Sequence, residues 1–499
     1  MIFEIVVCAF IGIIAVLAIL TLWRMKYSRF VSDNKHSVFQ VLLDVMDSIL
    51  FVTSGKKNAL HLYIAKYFTE KSKKFKQYPL FTYWLCGLQV ITIHKAEAVK
   101  EFLKEKKIIE KSDFYDFFTP YLGTGLLTCD SSQWKGRRKM LAAGFHNSML
   151  KGYLTVMNEH AQKLVEFLHE ETHKEFTCVE RPLSLCSLDI AGESILGVKI
   201  GALQNEGEEY VHSLHKLLDV AMSRIWKFWQ WPDFIFYCSN TYRQTLPHLG
   251  IAHGFSRSII KERKLWYMNG KTGDDSRKPK CLLDVLLKLH IEDQVLDEEG
   301  VRQEVDTFIS AGHETVAVAV KWALYLIGLY PEVQERIHQE LDSVLGADSK
   351  GHLWVADLNE LKYLDCVLKE CYRLYPPGAL FARKTSEEIS ICDYTIPKRA
   401  TVVVSPFLVH RDEDIFPDPE KFDPDRFLPE NIPHIPDCAY IPFAAGHTFA
   451  EMEVKVLVCH ILRSFSLHSL DSRDKVLPIV KITLQSSQPV RIKFRRRQQ

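Results

Sequence analysis

Thr315 directly follows Glu314, and both stand in the apolar stretch Phe308-Ile309-Ser310-Ala311-Gly312-His313-Glu314-Thr315-Val316. A hydroxyl beside a carboxylate can relay protons, provided one of them lies within hydrogen-bond reach of the group it serves. A glycine and polar residues inside an apolar helix break local rules, and such breaks gather at functional sites. The alternative is a polar patch satisfied by backbone or water. Trp134 and Arg138 form a second constellation, four residues apart and so on one helix face. A guanidinium there suits a carboxylate through two parallel hydrogen bonds, although alone such a pair reads as a surface cation–π contact. Glu370 and Arg373 are spaced to pair along a helix. Such pairs cover solvated helices, and this one gains weight from two downstream arginines: Arg383 in a strand-like stretch, then Arg426 within Pro424-Asp425-Arg426-Phe427.

These residues need long helices to hold them. One is expected from about Glu298 to Tyr330, on the order of 50 Å at 1.5 Å per residue. Pro331 suits the first position of the next helix, and Gly346 closes it. Residues 361–375 make another, ended by Pro376-Pro377. Two strands are expected within residues 78–93, then a helix over His94 to Lys104. Helical patterns alternate with polar breaks over residues 151–265, and residues 268–280 form a polar loop. Near the end, an apolar loop at Pro442–Gly446 runs into a helix starting near Thr448, with an inward face at Phe449, Met452, Val456, Val458 and Ile461.

Bulk properties exclude some classes. With 63 basic and 62 acidic residues in 499, there is no nucleic-acid footprint. Twelve cysteines are scattered from Cys8 to Cys459 without C-x-x-C pairs or zinc spacing, which suits small buried residues of a reducing compartment. Arg495-Arg496-Arg497 reads as a solvated tail. Residues 5–23 carry no charge and are long enough to span a bilayer. Arg24, Lys26 and Arg29 come directly after them, which leaves the body of the chain in the cytosol.

In order and spacing, the motifs over roughly residues 78–490 resemble the cytochrome P-450 (haem-thiolate) superfamily. The resemblance implies an α+β, mainly α fold: one large helical domain with small β-sheets over residues 31–499, behind an N-terminal transmembrane anchor in residues 1–30. It implies a haem-dependent monooxygenase that uses dioxygen and electrons from an NADPH-dependent reductase, at the endoplasmic reticulum membrane. Ala311-Gly312-x-Glu314-Thr315 matches the A-G-x-[DE]-T motif, in which the glycine leaves room for dioxygen and the acid and hydroxyl bring protons to iron-bound oxygen. Trp134, Arg138 and Arg383 would contact haem propionates, and Glu370, Arg373 and Arg426 would form an ion triad that clamps the haem-side loop. The stretches EVDTF and GHET point to a family-four-like member, a group associated with fatty-acid hydroxylation. Ala311 replaces the glutamate that attaches haem through an ester in several of those enzymes, so covalent haem is not expected. The aromatic segment 224–237 reads either as buried core or, by the same resemblance, as cover for a lipophilic substrate channel close to the membrane.

One departure governs the activity. The superfamily pattern is F-x-x-G-x-R-x-C-x-G-x-x-F-A, whereas here Phe443-x-x-Gly446 reaches Phe449-Ala450 after two residues. Six residues are absent, the iron-ligating Cys and the neighbouring Arg among them. Up to about 20 Å of extended chain is lost, so neighbours cannot slide into place. His447 is the nearest residue able to ligate a metal, while Cys438 and Cys459 read as packing. Weak or absent haem retention is therefore expected, with no ordinary monooxygenase turnover. The alternative is a membrane-anchored, non-catalytic protein that binds a lipid or a partner. Arg137, Arg138, Lys139 and Lys455 would lie near the face that attracts an acidic partner, or are solvated surface charge.

Overall fold

The computed structural model describes residues 59–85, 88–105, 110–204, 207–269, 281–346, 351–442 and 448–497. The expected membrane anchor (residues 5–23), the loop residues Phe443 to His447 and most of the polar loop 268–280 lie outside them. Among the described residues no single helix is long and apolar enough to cross a membrane. The chain divides into two compact units, the first running to Asp113 and adding Leu380–Pro417 and Pro436–Ile441, the second holding the rest.

The first unit contains helices α1 (Ala59–Lys74) and α2 (Ala96–Lys104) and strands β1 (Leu80–Leu85), β2 (Leu88–Ile93), β3 (Phe381–Lys384), β4 (Ile389–Ile391), β5 (Tyr394–Ile396) and β6 (Thr401–Val404). The larger sheet has the order β1-β2-β6-β3. Its centre is the parallel pair β2–β6, with Val90 opposite Thr401 and Ile93 opposite Val404. A strand buried on both faces needs a continuous apolar run, which Val402, Val403 and Val404 supply. Strands β4 and β5 form a hairpin whose two turn residues, Cys392 and Asp393, both have positive φ (47° and 64°). Both turn residues of a type I′ turn need this, because its twist matches that of the strands. Ile91, Ile93, Val99, Phe102, Ile391 and Val402 pack into one apolar cluster. His410 accepts a hydrogen bond from the Ile441 amide at 2.8 Å and stacks on Tyr440, which fixes the segment ahead of Pro442.

The second unit is mainly helical: α3 (Ser131–Leu141), α4 (Asn147–Glu171), α5 (Glu180–Ala191), α6 (Glu208–Trp226), α7 (Asn240–Asn269), α8 (Leu282–Ile291), α9 (Glu298–Leu329), α10 (Pro331–Leu345), α11 (Lys362–Leu374) and α12 (Thr448–Ser464). Strands β7 (Phe465–Ser469), β8 (Pro478–Val480), β9 (Leu484–Ser486) and β10 (Arg491–Arg496) complete it. Strand β10 pairs antiparallel with β7 and with the short strand Thr177–Cys178, and β8 pairs with β9.

Helix α9 is the axis of this unit. Asp297 caps it by accepting from the Gly300 amide at 2.7 Å, and Glu298 and Glu299 complement the helix dipole in the first turn. Pro331 begins the next helix, so α9 stops within one residue of the expected position. Most of its C-terminal half is buried on all sides, including Trp322, Tyr325 and Lys321. Trp322 stacks on Tyr375 at 4.0 Å and donates its indole N–H to the Leu484 carbonyl at 2.7 Å, which docks β9 along the helix. At Gly328 an added Cβ would lie 2.5 Å from Ser469 Oγ and 3.0 Å from its amide nitrogen, so only glycine admits β7 this closely.

Candidate active site

Glu314 and Thr315 are neighbours in sequence but turn to different sides of α9, as successive helical residues must. Thr315 is half-buried and its hydroxyl donates to the Ala311 carbonyl at 2.6 Å, one turn back. Glu314 is buried. Its carboxylate faces α6 and β9, accepting from His215 Nε2 at 2.9 Å, Gln485 Nε2 at 2.5 Å and Thr483 Oγ1 at 3.3 Å. Burial alone would raise the Glu314 pKa. The His215 hydrogen bond and charge, with His313 and Lys321 nearby, outweigh it and hold the carboxyl at about 2. Glu314 is therefore an ionised acceptor near neutrality, and the proton of this pair resides on His215.

His313 and Gly312 face α5. His313 Nε2 meets Ser184 Oγ at 2.7 Å, and burial holds the ring's pKa at about 4, so the imidazole is neutral. An added Cβ at Gly312 would meet Ile195 Cδ1 at 3.0 Å, which makes this glycine a site of close helix packing. Ser187 lies 3.1 Å from both the His313 carbonyl and Glu453 Oε1. One hydroxyl proton cannot serve both. The Ser187 hydroxyl can therefore donate to either acceptor in turn, and burial pushes the Glu453 carboxyl well above the usual range. This chain ties α12, α5 and α9 together.

Trp134 and Arg138 share a face of α3, with the guanidinium 5.6 Å from the indole ring. Asp130 caps that helix, accepting from the amides of Ser132 at 2.9 Å and Gln133 at 3.0 Å. The neighbouring Arg137 is the residue that anchors α3 to α9, through Glu304 at 2.6 Å. Arg383 lies on β3 of the first unit, half-buried, and donates to the Ala382 carbonyl at 2.9 Å.

Glu370, Arg373 and Arg426 do converge. Arg373 donates two parallel hydrogen bonds to Glu370, at 2.7 and 2.8 Å, and both side chains are fully buried. The Asp423 amide adds a third at 2.9 Å, and Arg426 Nε stands 3.7 Å from the same carboxylate. Arg373 also reaches the Lys421 carbonyl at 3.2 Å. The cluster thereby pins the segment 421–426 onto α11.

Two cysteines flank the shortened loop in sequence, Cys438 and Cys459. Cys459 lies in the core of α12, where burial pushes its thiol up to about 12. Cys438 belongs to the first unit and is also raised, by burial and by the charge of Asp437. No cysteine occurs between these two, so the segment from Gly446 to Phe449 holds no thiol. The residues present do not fit a thiolate-bound haem iron. Lys455 differs from its expected exposed role: it is buried and donates to Asp365 at 2.5 Å and to the carbonyls of Leu361 and Leu358.

A small apolar crevice is lined by Phe117, Tyr121, Leu217, Leu218, Phe236 and Leu249. The aromatic segment that contributes Phe236 is divided: Phe236 is 2% exposed, while Phe234 is 72% and Tyr237 45% exposed. Arg224 explains the inward part, since its buried guanidinium holds the Gln230 and Trp231 carbonyls and stacks on Phe236 at 4.1 Å.

A long buried helix among many others, several small sheets, and the Glu370–Arg373–Arg426 cluster define the class. The profile of the family described as Cytochrome P450 matches residues 45–494. The chain belongs to the cytochrome P450 family, in its family-4 branch. It is 38% identical to Cytochrome P450 4V2 of Mus musculus over 447 residues, covering 86% of this chain and 84% of the relative. The corresponding protein of Rattus norvegicus is 37% identical over 446 residues, 85% and 84% of the two chains. Cytochrome P450 4c3 of Drosophila melanogaster is 34% identical over 424 residues, 81% and 79%.

Proposed function

We propose that this chain carries the scaffold of a haem-dependent monooxygenase for lipophilic substrates, fatty acids foremost, and that as its sequence stands it does not turn over. The observation that carries this is the six-residue deficit between Gly446 and Phe449, which removes the iron-ligating cysteine while its flanks still match the family pattern. Thiolate ligation supplies the electron density that favours O–O cleavage, and the segment from Gly446 to Phe449 holds no cysteine to supply it. Trp134, Arg138 and Arg383 would be the residues left for haem propionates, with Gly312 and Thr315 left for dioxygen, while Glu314 is taken up by His215, Gln485 and Thr483. The uncharged stretch 5–23 supports an anchor in the endoplasmic reticulum membrane, with the body cytosolic and a reductase as partner.

A second reading is favoured by the same missing cysteine: a membrane-anchored, non-catalytic protein that holds a lipid or a partner. Haem content and the carbon-monoxide spectrum of the reduced protein test the first reading. The full chain is expressed beside a version given an Arg- and Cys-containing six-residue insert after His447. The parent is expected to lack the red-shifted thiolate band and the repaired version to show it. A thiolate band in the parent overturns the proposal. Equal binding of a fluorescent fatty acid by both versions would support the second reading.

A further inference from the structure

His215 on α6 and His313 and Glu314 on α9 place three donor atoms within 4.8 Å of one another. His215 Nε2 and Glu314 Oε2 are 2.9 Å apart, and the two imidazole rings stack with centroids 6.3 Å apart. Two of the three groups are held from behind. Ser184 takes His313 Nε2 at 2.7 Å, and Gln485 and Thr483 take the second oxygen of Glu314. That leaves His313 Nδ1, fully buried and without a hydrogen-bond partner. A buried ring nitrogen normally has a partner, so this orphan calls for one.

We propose that His215, His313 and Glu314 form a binding site for one divalent transition-metal ion, Zn²⁺ foremost, which joins α6 to α9. Two imidazoles and a carboxylate with an open fourth position are a zinc ligand set. Tetrahedral ligands at 2.0–2.2 Å from the ion stand about 3.3–3.5 Å apart. A shift on the order of 1 Å therefore seats the ion from the present spacing. The outer contacts are those that metal-bound groups need: a histidine whose second nitrogen is hydrogen-bonded, and a carboxylate oriented through its other oxygen. His215 is 46% exposed along its side chain, which gives an ion a way in and leaves the fourth position for water. Calcium and magnesium prefer six or more oxygen ligands and are disfavoured by two nitrogens. Helix α6 also supplies Leu217, Leu218 and Ala221 to the apolar crevice, so an ion at His215 would stiffen that wall.

The test uses the full chain in detergent, freed of metal by a chelator and then desalted. Zn²⁺ alone is titrated in by calorimetry, and Co²⁺ is used as a spectroscopic substitute. One tightly held ion per chain is expected, with cobalt d–d absorption and no sulfur charge-transfer band. The spectrum separates this site from adventitious binding by the 12 cysteines. His215→Ala should lose the ion. His215→Gln, at the same half-exposed position, should lose it too while keeping the circular dichroism of the parent. Gln485→Leu, which removes only an outer contact, should weaken binding about tenfold to a hundredfold. No retained ion in the parent, a thiolate band, or unchanged stoichiometry in both His215 variants overturns the proposal. None of these readouts depends on haem.

Discussion

Replacing Arg373 by Met leaves the Glu370 carboxylate buried without its main counter-charge. Both side chains are 0% exposed, and Arg373 donates two short hydrogen bonds to Glu370, beside the one from the Asp423 amide. Removing one partner of a buried ion pair costs about 3–5 kcal/mol. Arg426, 3.7 Å away and partly exposed, cannot restore two hydrogen bonds without moving. With an unfolding entropy near 2.1 cal/mol/K per residue over about 400 ordered residues, this loss corresponds to a fall of about 4–6 °C in Tm. Thermal unfolding of the full chain followed by circular dichroism measures it. The double variant Glu370→Gln/Arg373→Met keeps an acceptor for the Asp423 amide and removes the stranded charge. It should therefore recover more than half of the loss, because a buried pair is worth little against a neutral replacement. A fall of under 1 °C in Arg373→Met, or a double variant no better than the single, would refute the claim that the buried charge is what makes this site sensitive.

Two more effects come from buried groups. His460 donates to Asn158 at 2.8 Å, and burial, with Arg463 nearby, holds its pKa at about 3. Between the unfolded value near 6.5 and that folded value the unfolded chain binds the extra proton, so stability is lost as pH falls. His460→Gln keeps the donor and should flatten the Tm–pH profile between about pH 6 and pH 4; an unchanged slope refutes it. Gly328→Ala would normally strengthen a helix, but here its methyl group meets Ser469, including the backbone nitrogen. A net loss of about 1–3 kcal/mol is expected in the same melts, and a gain in Tm would show that β7 can retreat.

Local signals in the sequence were dependable where the controlling residues were local. Helix α9 is bounded by the Asp297 cap and Pro331, and its limits were legible to within a residue. The same holds for α11 before Pro376, and the two strands expected within residues 78–93 are β1 and β2, without their limits being readable to a residue. The hairpin of β4 and β5 was missed because its turn is Cys392-Asp393 and lacks the glycine that usually marks positive φ. The Glu370–Arg373 pair could be read from spacing, but its burial could not, since the segment carrying Asp423 and Arg426 comes from elsewhere in the chain. Glu314 shows the same limit: its partners His215, Thr483 and Gln485 are distant, and no motif marks them. Lys455 resembled a docking charge because nothing nearby in sequence shows that Asp365 and two carbonyls enclose it.

The sheet of the first unit has a consequence for synthesis. Val90 must wait for Thr401 before its parallel ladder can form, a delay of about 300 residues, or on the order of 15–60 s at the pace of translation. Until then β2 can pair only with β1, and its other edge, carrying Val90, Ile91 and Ile93, has no mate. An apolar strand with one open edge is a template for joining other chains. The nascent protein therefore passes through a prolonged window in which a chaperone, or rapid burial of that edge against the emerging chain, decides between folding and aggregation.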